Sequence, residues 1–536
     1  MTSTVDIIAQ RLYAAGCRHA FGIPGGEVLA IIEALDRAGI GFTLAKHENA
    51  AGFMAEGVHH ADGAPGILVA TLGPGVANAV NVIANAEQDR VPLIVLTGCL
   101  DPGDRLQFTH QVFDHTALLS PITKASFTAP DEAADIMIDK AVTIAAAPRP
   151  GPVHIDVPIK VATSAHGAAR LAPSPPPAPL APAEGPELTR ARAMLAASRR
   201  PLLIAGLDVL YEPGAVEGLR AFAEQFRIPV LTTYKAKGVL PETHELTLGG
   251  HGLSPKSDRH VLPLLRSADL ILAAGYDPIE MRAGWIEPWD PEQAIEFAPV
   301  ANRHYVHRAG LSFHCGIGPG LAALAAGVPA PAARWPGGEV DKARQALAAD
   351  FTPGDGWGPG AAVAALQQAV PGEAVVTVDT GAHRILLSQM WRCAAPRRLL
   401  QSTGLCTMGC ALPLAIGHKL AAPERPVLAV SGDAGLEMVL GELATLRDLK
   451  LRVVVAVFVD EQLALIELKQ RQTGRDNLGV DFGGTDFAAL AEAMGGAGRV
   501  AGDAEAVMRE TRAAFAREGF TVIAIPIGRQ AYDGTF

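Results

Sequence analysis

Residues 432–462 read GDAGLEMVLGELATLRDLKLRVVVAVFVDEQ, and this stretch decides the fold class of the chain. An apolar run, VLAVS (427–431), comes directly before it, and a second apolar run, RVVVAVFV (452–459), lies inside it. The segment between the two runs has the pattern of a helix. Two short apolar runs joined by a helix are typical of a parallel βαβ unit. The sequence therefore predicts an α/β fold with parallel sheets.

Each of the two predicted strands ends on a carboxylate, Asp433 after the first and Asp460 after the second. Open parallel sheets bind ligands at the carboxyl ends of their strands, so the two carboxylates should share one site. Gly432, Ala434 and Gly435 are small enough to let backbone N–H groups approach a phosphate. Carboxylates beside a phosphate cradle favour Mg²⁺. An ordinary βαβ unit with an acidic turn is the alternative.

This stretch resembles the diphosphate-binding motif of thiamine diphosphate (ThDP) enzymes, which begins with Gly-Asp-Gly and ends with Asn-Asn. The 27 positions from 433 to 460 fit the length of that motif. The chain departs from it twice, because Ala434 replaces the last glycine and Val459-Asp460 replaces the asparagine pair. The resemblance implies a metal site made by Asp433, Asp460 and Gln462, and diphosphate contacts from Gly432, Ala434 and Gly435.

A second group of motifs lies near the N-terminus: FGIPGGE (21–27), KHENAAG (46–52), ATLGPGVAN (70–78), DRVPLIVLTG (89–98) and PITK (121–124). Their order and spacing resemble the pyrimidine-binding domain of the acetolactate synthase branch of ThDP enzymes. The resemblance covers nearly the whole chain and is weakest in the middle. It implies that Glu48 is the catalytic glutamate, for which a solvated helix cap is the alternative. It also implies that Gly26 and Gln111 lie next to the reacting carbon and that Thr71 and Asn78 contact the cofactor.

Two further segments in the C-terminal third resemble cofactor-binding loops of the family. DTGAH (379–383) follows the apolar run AVVTV, and the resemblance implies diphosphate contacts from Gly381 and His383. GLCTMG (404–409) resembles the loop that holds the aminopyrimidine ring, which implies contacts from Cys406 and Met408. A capping histidine and an apolar core methionine are the plain alternatives.

Composition breaks divide the 536 residues into domains. Residues 164–186 are rich in Pro and Ala and predict a linker, and residues 329–337 and 352–360 are similar in composition. We predict three doubly wound parallel-sheet α/β domains. They are a pyrimidine-binding domain (1–165), a central domain (187–328) and a diphosphate-binding domain (358–536).

Composition also excludes several classes of function. The net charge is −11 and no basic tract stands out, so we expect no nucleic-acid partner. No apolar run approaches the roughly 20 residues that span a bilayer, so we expect no membrane segment. The N-terminus reads as a helix and not as a signal peptide, which favours a cytoplasmic protein. The 6 cysteines are therefore expected to be reduced thiols.

The central segment carries the weakest functional signal. It has no G-x-G-x-x-G turn, and VANRHYVHRAG (300–310) stands where flavin-binding relatives have an acidic strand end. We therefore expect no FAD. In the family, Glu48 and the diphosphate site come from different subunits, so the resemblance implies at least a homodimer, and a homotetramer is the expected assembly.

Three positions around the predicted substrate pocket depart from acetolactate synthases. Glu27 replaces a small apolar residue, His110 an aromatic residue, and Lys469 a tryptophan. A polar or charged substrate is one explanation, and outward-pointing surface side chains are the other. Neither the 2-oxo acid nor the acceptor follows from the sequence.

The resemblance implies an Mg²⁺- and ThDP-dependent enzyme that decarboxylates a 2-oxo acid and transfers the carbanion fragment to an acceptor. The first alternative is a lyase, decarboxylase or hydrolase that acts on a polar 2-oxo or 2-hydroxyacyl substrate. The second is a ThDP-binding regulatory homologue without activity. Glu48, Asp433 and Asp460 argue against the second, because a regulatory protein does not need them.

Overall fold

The computed structural model describes residues 2–167 and 178–536. The predicted linker at 164–186 includes residues 168–177, which lie outside these ranges, and its last residue, Pro186, begins a helix. The described chain contains three six-stranded sheets, and each pair of neighbouring strands in them is parallel. Parallel sheets are covered on both faces, which explains why most of these strands are mainly apolar and buried along nearly their whole length. Among the described residues we find no helix with the length and apolarity that a bilayer crossing requires.

The N-terminal unit begins with a helix that is capped by Ser3 and Asp6 in a reciprocal capping box. Its strands are β1 (His19–Ile23), β2 (Gly41–Leu44), β3 (Gly66–Ala70), β4 (Leu93–Cys99), β5 (Ala125–Thr128) and β6 (Pro152–Pro158). Its helices are α1 (Thr4–Ala14), α2 (Leu29–Arg37), α3 (Glu48–Asp62), α4 (Pro74–Gln88), α5 (His115–Leu119), α6 (Ala134–Ala146) and α7 (Ile159–Thr163). The strand order in the sheet is β2-β1-β3-β4-β6-β5.

The central unit has its own sheet and its own buried core. Its strands are β7 (Pro201–Ala205), β8 (Val230–Thr232), β9 (Thr247–Gly250), β10 (Leu270–Ala274), β11 (Ala294–Ala298) and β12 (Leu311–His314). Its helices are α8 (Pro186–Ala197), α9 (Ala215–Phe226), α10 (Pro255–Ser267) and α11 (Ile317–Ala325), and α12 (Glu339–Asp350) follows them. The strand order is β12-β11-β10-β7-β8-β9.

The C-terminal unit contains residues 432–462 and the strand that precedes them. Its strands are β13 (Val375–Val378), β14 (Leu399–Gln401), β15 (Val427–Gly432), β16 (Val454–Val459), β17 (Ala497–Val500) and β18 (Thr521–Pro526). Its helices are α13 (Pro359–Ala369), α14 (Ala382–Met390), α15 (Ala411–Ala421), α16 (Asp433–Glu437), α17 (Glu442–Asp448), α18 (Ala464–Gln472), α19 (Phe487–Ala493) and α20 (Ala504–Ala516). The strand order is β14-β13-β15-β16-β18-β17.

The first and third sheets have the same topology, strand for strand. In both, the chain reverses its direction of travel across the sheet between the first strand and the third, and ligands of open α/β sheets bind at such a switch point. The loops after β1 and β3 flank the switch point of the N-terminal sheet. The loops after β13 and β15 flank that of the C-terminal sheet. The fold therefore offers two equivalent binding edges, one on each outer domain.

The two outer domains pack on each other through α3 and α15. A Cβ built on Gly417 would lie 1.8 Å from the carbonyl oxygen of Met54, and one on Gly57 would lie 2.3 Å from that of Leu414. The helices therefore approach so closely that only glycine fits at these positions. Buried apolar side chains of both domains form one continuous core around this crossing.

The Pro-rich stretch at 329–337 contains no helix or strand, as its composition predicts, yet it is firmly packed. The indole of Trp335 is buried and donates to the carbonyl oxygen of Pro201 at 2.8 Å. The Arg334 guanidinium donates to the carbonyl oxygens of Leu195 and Ser198. This segment therefore serves as part of the central domain and not as a free linker.

Candidate active site

The ends of β15 and β16 are tied together by the carboxylate of Asp433. Its Oδ2 accepts from the backbone N–H groups of Asp460 at 3.0 Å and Glu461 at 2.7 Å, and its Oδ1 accepts from that of Ala434 at 2.8 Å. Asp433 and Ala434 form the start of α16, with Gly432 as its N-cap. The two carboxylates that the spacing predicted to meet therefore do lie at one edge of the sheet.

Both carboxylates are buried, and their electrostatics favour a cation. Burial and the neighbouring Asp433 raise the pKa of Asp460 to about 7. Burial also raises the pKa of Asp433, although its three backbone hydrogen bonds act in the opposite direction. Gln462 lies beside them, buried, with its backbone N–H 3.4 Å from Asp460 Oδ1. Two adjacent carboxylates and an amide oxygen are hard ligands of the kind that Mg²⁺ takes, so the donor set fits this ion.

The loop after β13 and the first turn of α14 present two buried polar atoms. Among the described residues, neither Thr380 Oγ1 nor His383 Nε2 has a hydrogen-bond partner. Burial lowers the pKa of His383 to about 3, so its ring is neutral and carries a single N–H. In the tautomer that has this proton on Nε2, the ring can donate to a ligand at that atom. Gly432 lies next to this ring, because a Cβ there would be 3.2 Å from His383 Cε1. Unsatisfied buried donors beside small residues fit a phosphate group.

Asp379 is a site residue that the sequence analysis missed. It is fully buried and accepts from the backbone N–H groups of Gly409 at 3.0 Å and Cys410 at 3.1 Å, and from Ser431 Oγ at 3.0 Å. A Cβ on Gly435 would lie 1.9 Å from its Oδ2. Asp379 therefore fixes the loops after β13, β14 and β15 relative to one another. In the sequence, Asp379 could have been found from its position at the end of an apolar run and directly before Thr380-Gly381.

The loop after β14 carries Cys406 and Met408 beside this cluster. Cys406 has a left-handed backbone with φ of 53°, which is a strained conformation for a residue with a side chain. Its Sγ lies 3.4 Å from the Arg384 guanidinium, which is buried and paired with Glu280 of the central domain. Met408 is partly buried. The central domain thus holds the loop that the sequence analysis assigned to the aminopyrimidine ring.

The N-terminal domain presents a second edge, which contains Glu48. This residue begins α3, is 5% exposed, and accepts from Asn78 Nδ2 at 3.0 Å through its Oε2. A Cβ on Gly75 would lie 3.4 Å from its other oxygen, so the first turn of α4 packs against the carboxylate. Gly26 faces open space, with nothing within 4 Å of a built Cβ. These residues leave room for a ligand beside a buried carboxylate.

Gln111 lies on the same edge, above a buried polar network. Its backbone is left-handed, with φ of 59°, and its carbonyl oxygen would be 2.6 Å from a Cβ on Gly73. The N–H of Gly73 donates to His115 Nε2 at 3.3 Å, and His115 Nδ1 then donates to Asp156 Oδ1 at 2.7 Å. The network therefore connects the strand ends to the loop that carries Gln111.

His115, His154 and Asp156 bring possible metal-ligand atoms within 4.8 Å of one another. However, Thr97 Oγ1 lies among them, donating to Asp156 Oδ1 at 2.6 Å and contacting His154 Nε2 at 2.7 Å. His154 Nδ1 contacts Ser126 Oγ at 2.6 Å. Each of these ring nitrogens already has a hydrogen-bond partner, so we interpret the group as a hydrogen-bonded network and not as a metal centre.

The three positions predicted to line a substrate pocket do not behave alike. Glu27 lies on the N-terminal edge, where Thr71 Oγ1 donates to its Oε2 at 2.8 Å. His110 and Lys469 are exposed, and in the described parts of the chain no side-chain hydrogen bond or ion pair fixes either one. Only Glu27 is thus joined by a contact to another predicted site residue.

The predicted site residues form two groups, one on each outer domain. Within the described residues, no hydrogen bond or ion pair links Glu48 to the C-terminal group. The two domains are instead connected beside these groups, where Thr407 Oγ1 donates to Asn81 Oδ1 at 2.9 Å and the Lys46 N–H donates to Glu442 Oε1 at 2.9 Å. The single chain therefore carries two separate groups of candidate site residues, here called half-sites. One contains a buried glutamate, and the other contains a carboxylate pair beside two buried unpartnered polar atoms.

Three α/β domains with these two half-sites define a class of protein, the ThDP-dependent enzymes. Comparison with known families agrees for all three domains. The N-terminal TPP binding domain of thiamine pyrophosphate enzymes matches residues 2–118, their central domain residues 188–310, and their C-terminal TPP binding domain residues 379–525. Thiamine pyrophosphate is another name for ThDP.

Similar curated proteins narrow the class. The chain is 34% identical to the acetolactate synthase isozyme 1 large subunit of Escherichia coli, over 87% of this chain and 83% of the relative. It is 30% identical to the catabolic acetolactate synthase of Raoultella terrigena (97% and 94%). It is 31% identical to a probable 2-ketoarginine decarboxylase of Pseudomonas aeruginosa (95% and 91%). The chain belongs to the acetolactate synthase-like family of ThDP-dependent enzymes.

Proposed function

We propose that this protein decarboxylates a 2-oxo acid with ThDP and Mg²⁺ and transfers the carbanion fragment to an acceptor. The observation that carries the proposal is the C-terminal half-site. It combines two buried carboxylates that need a cation with two buried donors, on Thr380 and His383, that need an anion. A metal diphosphate satisfies both needs at once. When bound, ThDP supplies the nucleophilic carbon and the electron sink for decarboxylation.

The chain's own residues would bind and orient the cofactor. Asp433, Asp460 and Gln462 would ligate Mg²⁺, and Gly381, His383, Gly432, Ala434 and Gly435 would contact the diphosphate. Cys406 and Met408 would hold the aminopyrimidine ring, and Thr71 and Asn78 would complete the site from the other domain.

Glu48 would exchange a proton with the aminopyrimidine ring. Asn78 fixes one of its oxygens, which leaves Oε1 beside the first turn of α4 for the ring. A carboxyl group that is positioned in this way can act as a general acid and base. Gly26 and Gln111 would border the reacting carbon.

We propose a homodimer as the minimum active unit, because each chain carries half-sites that are not in contact with one another. Large apolar side chains are exposed next to the loops of both half-sites. They are Leu106 (90% exposed) and Phe108 (55%) near Gln111, Met438 (62%) beside α16, and Leu478 (80%) beyond α18. Exposed apolar groups around a site favour coverage by another subunit. A second copy of the chain fits this surface by symmetry, and a tetramer would pair two such dimers.

We propose that the central domain works without FAD. The carboxyl ends of its strands are occupied by ion pairs with the N-terminal domain. Arg90 Nε lies 2.9 Å from Asp277, and Arg149 Nε lies 3.3 Å from Asp208 and 3.4 Å from Asp277. These contacts use the sheet edge at which a nucleotide would bind. The visible absorbance of the purified protein tests directly whether FAD is bound.

We also propose that the enzyme is located in the cytoplasm.

Decarboxylation of a polar 2-oxo acid without ligation is the second candidate. The contact of Glu27 with Thr71 favours it, since a carboxylate then lies on the substrate edge. The name of the Pseudomonas aeruginosa relative also describes a decarboxylase of a charged 2-oxo acid.

Measurement of CO2 release tests the proposal and separates the candidates. The ThDP- and Mg²⁺-loaded protein is given a panel of 2-oxo acids, with and without a second carbonyl compound, and the products are identified by mass spectrometry. Ligated products support carbanion transfer, and aldehydes alone support simple decarboxylation. ThDP binding without CO2 release or exchange of the cofactor C2 proton would instead indicate a regulatory homologue.

A further inference from the structure

We propose that Glu27 selects a 2-oxo acid whose side chain ends in a cation, an ammonium or guanidinium group. The inference rests on the proposed function, because it names the substrate class of that same site. It makes Glu27 a specificity-determining residue and not a group that takes part in bond breaking.

Glu27 is held at the substrate edge by its surroundings. It follows β1 at the switch point of the N-terminal sheet, in a single 3-10 turn formed by Gly26–Val28. Thr71 Oγ1 fixes its Oε2, and a Cβ on Gly98 would be 2.7 Å from Glu27 Cβ. The base of the side chain therefore packs against β4, and the carboxylate is held by Thr71 at the end of β3. A solvent-exposed glutamate on the protein surface would not be held by a hydrogen bond and by packing in this way.

Thr71 also connects Glu27 to the proposed catalytic group. A Cβ on Gly75 would lie 3.1 Å from Thr71 Cγ2 and 3.4 Å from Glu48 Oε1. The two carboxylates thus lie on one continuous face, with Thr71 and the first turn of α4 between them. A substrate that reacts beside Glu48 can reach Glu27 with its distal end. The open space around Gly26 leaves room for a side chain larger than the methyl group of pyruvate.

The charge of Glu27 has no counterpart in the chain. In the described residues its side-chain hydrogen bond comes from the neutral Thr71 hydroxyl, and no lysine, arginine or histidine forms an ion pair with it. When the proposed partner subunit covers this edge, the carboxylate loses water. A buried unpaired charge is costly, so a cationic substrate group is the complement that the site lacks.

Four 2-oxo acids test the inference with the ThDP- and Mg²⁺-loaded enzyme. The acid derived from arginine carries the cation, and that derived from citrulline has nearly the same shape without charge. The acid derived from glutamate carries an anion, and pyruvate is the small reference. We expect kcat/KM for the arginine-derived acid to exceed that for the citrulline-derived acid by about 30-fold or more, as for a buried charge pair. The glutamate-derived acid should be the poorest.

Two variants assign the preference to the carboxylate. Glu27→Gln keeps the shape and the contact with Thr71, and we expect it to abolish the preference between the arginine- and citrulline-derived acids. Glu33→Gln, on α2 with a side chain that is 72% exposed, serves as the control and should keep it. ThDP affinity should be equal in all three proteins.

The outcomes separate this inference from the proposed function. Equal use of the arginine- and citrulline-derived acids by the wild type would overturn the inference alone. Efficient turnover of pyruvate that Glu27→Gln leaves unchanged would do the same and would favour acetolactate synthesis. CO2 release from none of the acids, despite ThDP binding, would overturn the proposed function and this inference with it.

Discussion

At the scale of single residues, the proposed metal site depends on a carboxylate that serves two purposes. Asp433 joins the ends of β15 and β16 by accepting from the backbone of Asp460 and Glu461, and it would also ligate Mg²⁺. We expect Asp433→Ala to abolish ThDP binding in the presence of Mg²⁺, as measured by calorimetry. Asp460→Asn should retain much of the binding, because an amide oxygen still ligates and the repulsion from Asp433 disappears.

The control for these variants is Asp476→Ala, which removes a carboxylate from an exposed position. It should bind ThDP like the wild type. Circular dichroism of Asp433→Ala should show an intact fold, since the sheet is held by its buried core. Normal ThDP affinity in Asp433→Ala would show that the diphosphate site lies elsewhere.

Glu48 provides the second prediction at this scale. In Glu48→Gln, the amide oxygen can still accept the hydrogen bond from Asn78. The amide cannot exchange a proton with the cofactor as a carboxyl group can. Loss of an acid–base group slows a reaction by about 100-fold to 10,000-fold. We therefore expect exchange of the C2 proton of bound ThDP, followed by NMR, to slow by about 100-fold or more. ThDP affinity should change little. Wild-type exchange in Glu48→Gln would rule out the catalytic role, and Glu33→Gln is the matched control.

The residues that could be predicted from sequence are those whose role follows from local order. Asp433 and Asp460 each end a predicted strand, so the parallel fold alone brings them to one edge. Asp379 could not be predicted in this way, because its partners come from the loops after β14 and β15. The contact of Glu27 with Thr71 is similar, since it joins residues that are 44 positions apart. Burial and tertiary hydrogen bonds carry information that spacing does not.

At the scale of elements, the buried network positions the start of α4 and the loop before α5. His115 links Asp156 on β6 to Gly73, the N-cap of α4, and α4 carries Asn78 to Glu48. Burial acts to raise the pKa of Asp156, but the hydrogen bonds from His115 and His154 outweigh it and hold this pKa well below its usual range. Asp156 is therefore a buried anion, and the hydrogen bonds from His115 and His154 keep it in its charged form.

His115→Leu should displace both elements. It leaves the Gly73 N–H without an acceptor and Asp156 with one donor fewer, which costs about 1–3 kcal/mol. We expect a lower thermal midpoint and a lower kcat, with little change in ThDP affinity, because the proposed diphosphate site is on the other domain. His314→Leu replaces an exposed histidine and is the control. An unchanged kcat in His115→Leu would show that the network is not needed for positioning.

The crossing of α3 and α15 gives a prediction about domain packing. Gly417→Ala would place a methyl group 1.8 Å from the Met54 carbonyl oxygen, which neither helix backbone can avoid without moving. We expect a loss of stability of about 1–3 kcal/mol or more, as in overpacked cores. Differential scanning calorimetry of the wild type and the variant measures it.

Gly360→Ala is the matched control for this substitution. Gly360 lies in the first turn of α13, and the nearest atom to a built Cβ is 3.9 Å away. Alanine should raise stability there by about 0.5–1 kcal/mol, because it restricts the unfolded chain. If both substitutions had the same effect, the helices would not be in the close contact described here.

The elements around residues 427–459 could be predicted from periodicity. The apolar runs and the helical segments between them coincide with β15, β16 and α17 to within a few residues. The close crossing of α3 and α15 could not be predicted, because glycines inside helices have no local signature of what packs on them. The packing of residues 329–337 was missed for a related reason. Proline content predicts that helix and strand are absent, but it does not predict whether a loop is buried.

At the scale of the whole molecule, buried charges join the three domains. Lys235 of the central domain pairs with Asp89 at 2.9 Å, and Asp89 accepts from the backbone N–H groups of Thr403 and Gly404. Arg384 pairs with Glu280 across the other junction. Pairs of this kind fix orientation more than they add stability. The central domain therefore fixes the position of the loop after β14 relative to α4.

The placement of the two half-sites predicts how subunits cooperate. If each active site combines Glu48 of one subunit with Asp433 of the other, a mixed dimer of Glu48→Gln and Asp433→Ala chains has one intact site. Each variant alone should be inactive. The mixed dimer, purified through two different affinity tags after co-expression, should show about half of the wild-type activity, since two-fold symmetry gives two sites per dimer.

A second mixed dimer makes the prediction reciprocal. It pairs a wild-type chain with a chain that carries both substitutions. If the sites form between subunits, each site then has one defective half, and the dimer should be inactive. If each site forms within one chain, the wild-type chain keeps its own site, so this dimer should show about half of the activity and the first mixed dimer none. The two measurements therefore decide between sites formed between subunits and sites formed within one chain. In the first case only the first mixed dimer is active, and in the second case only the second one is.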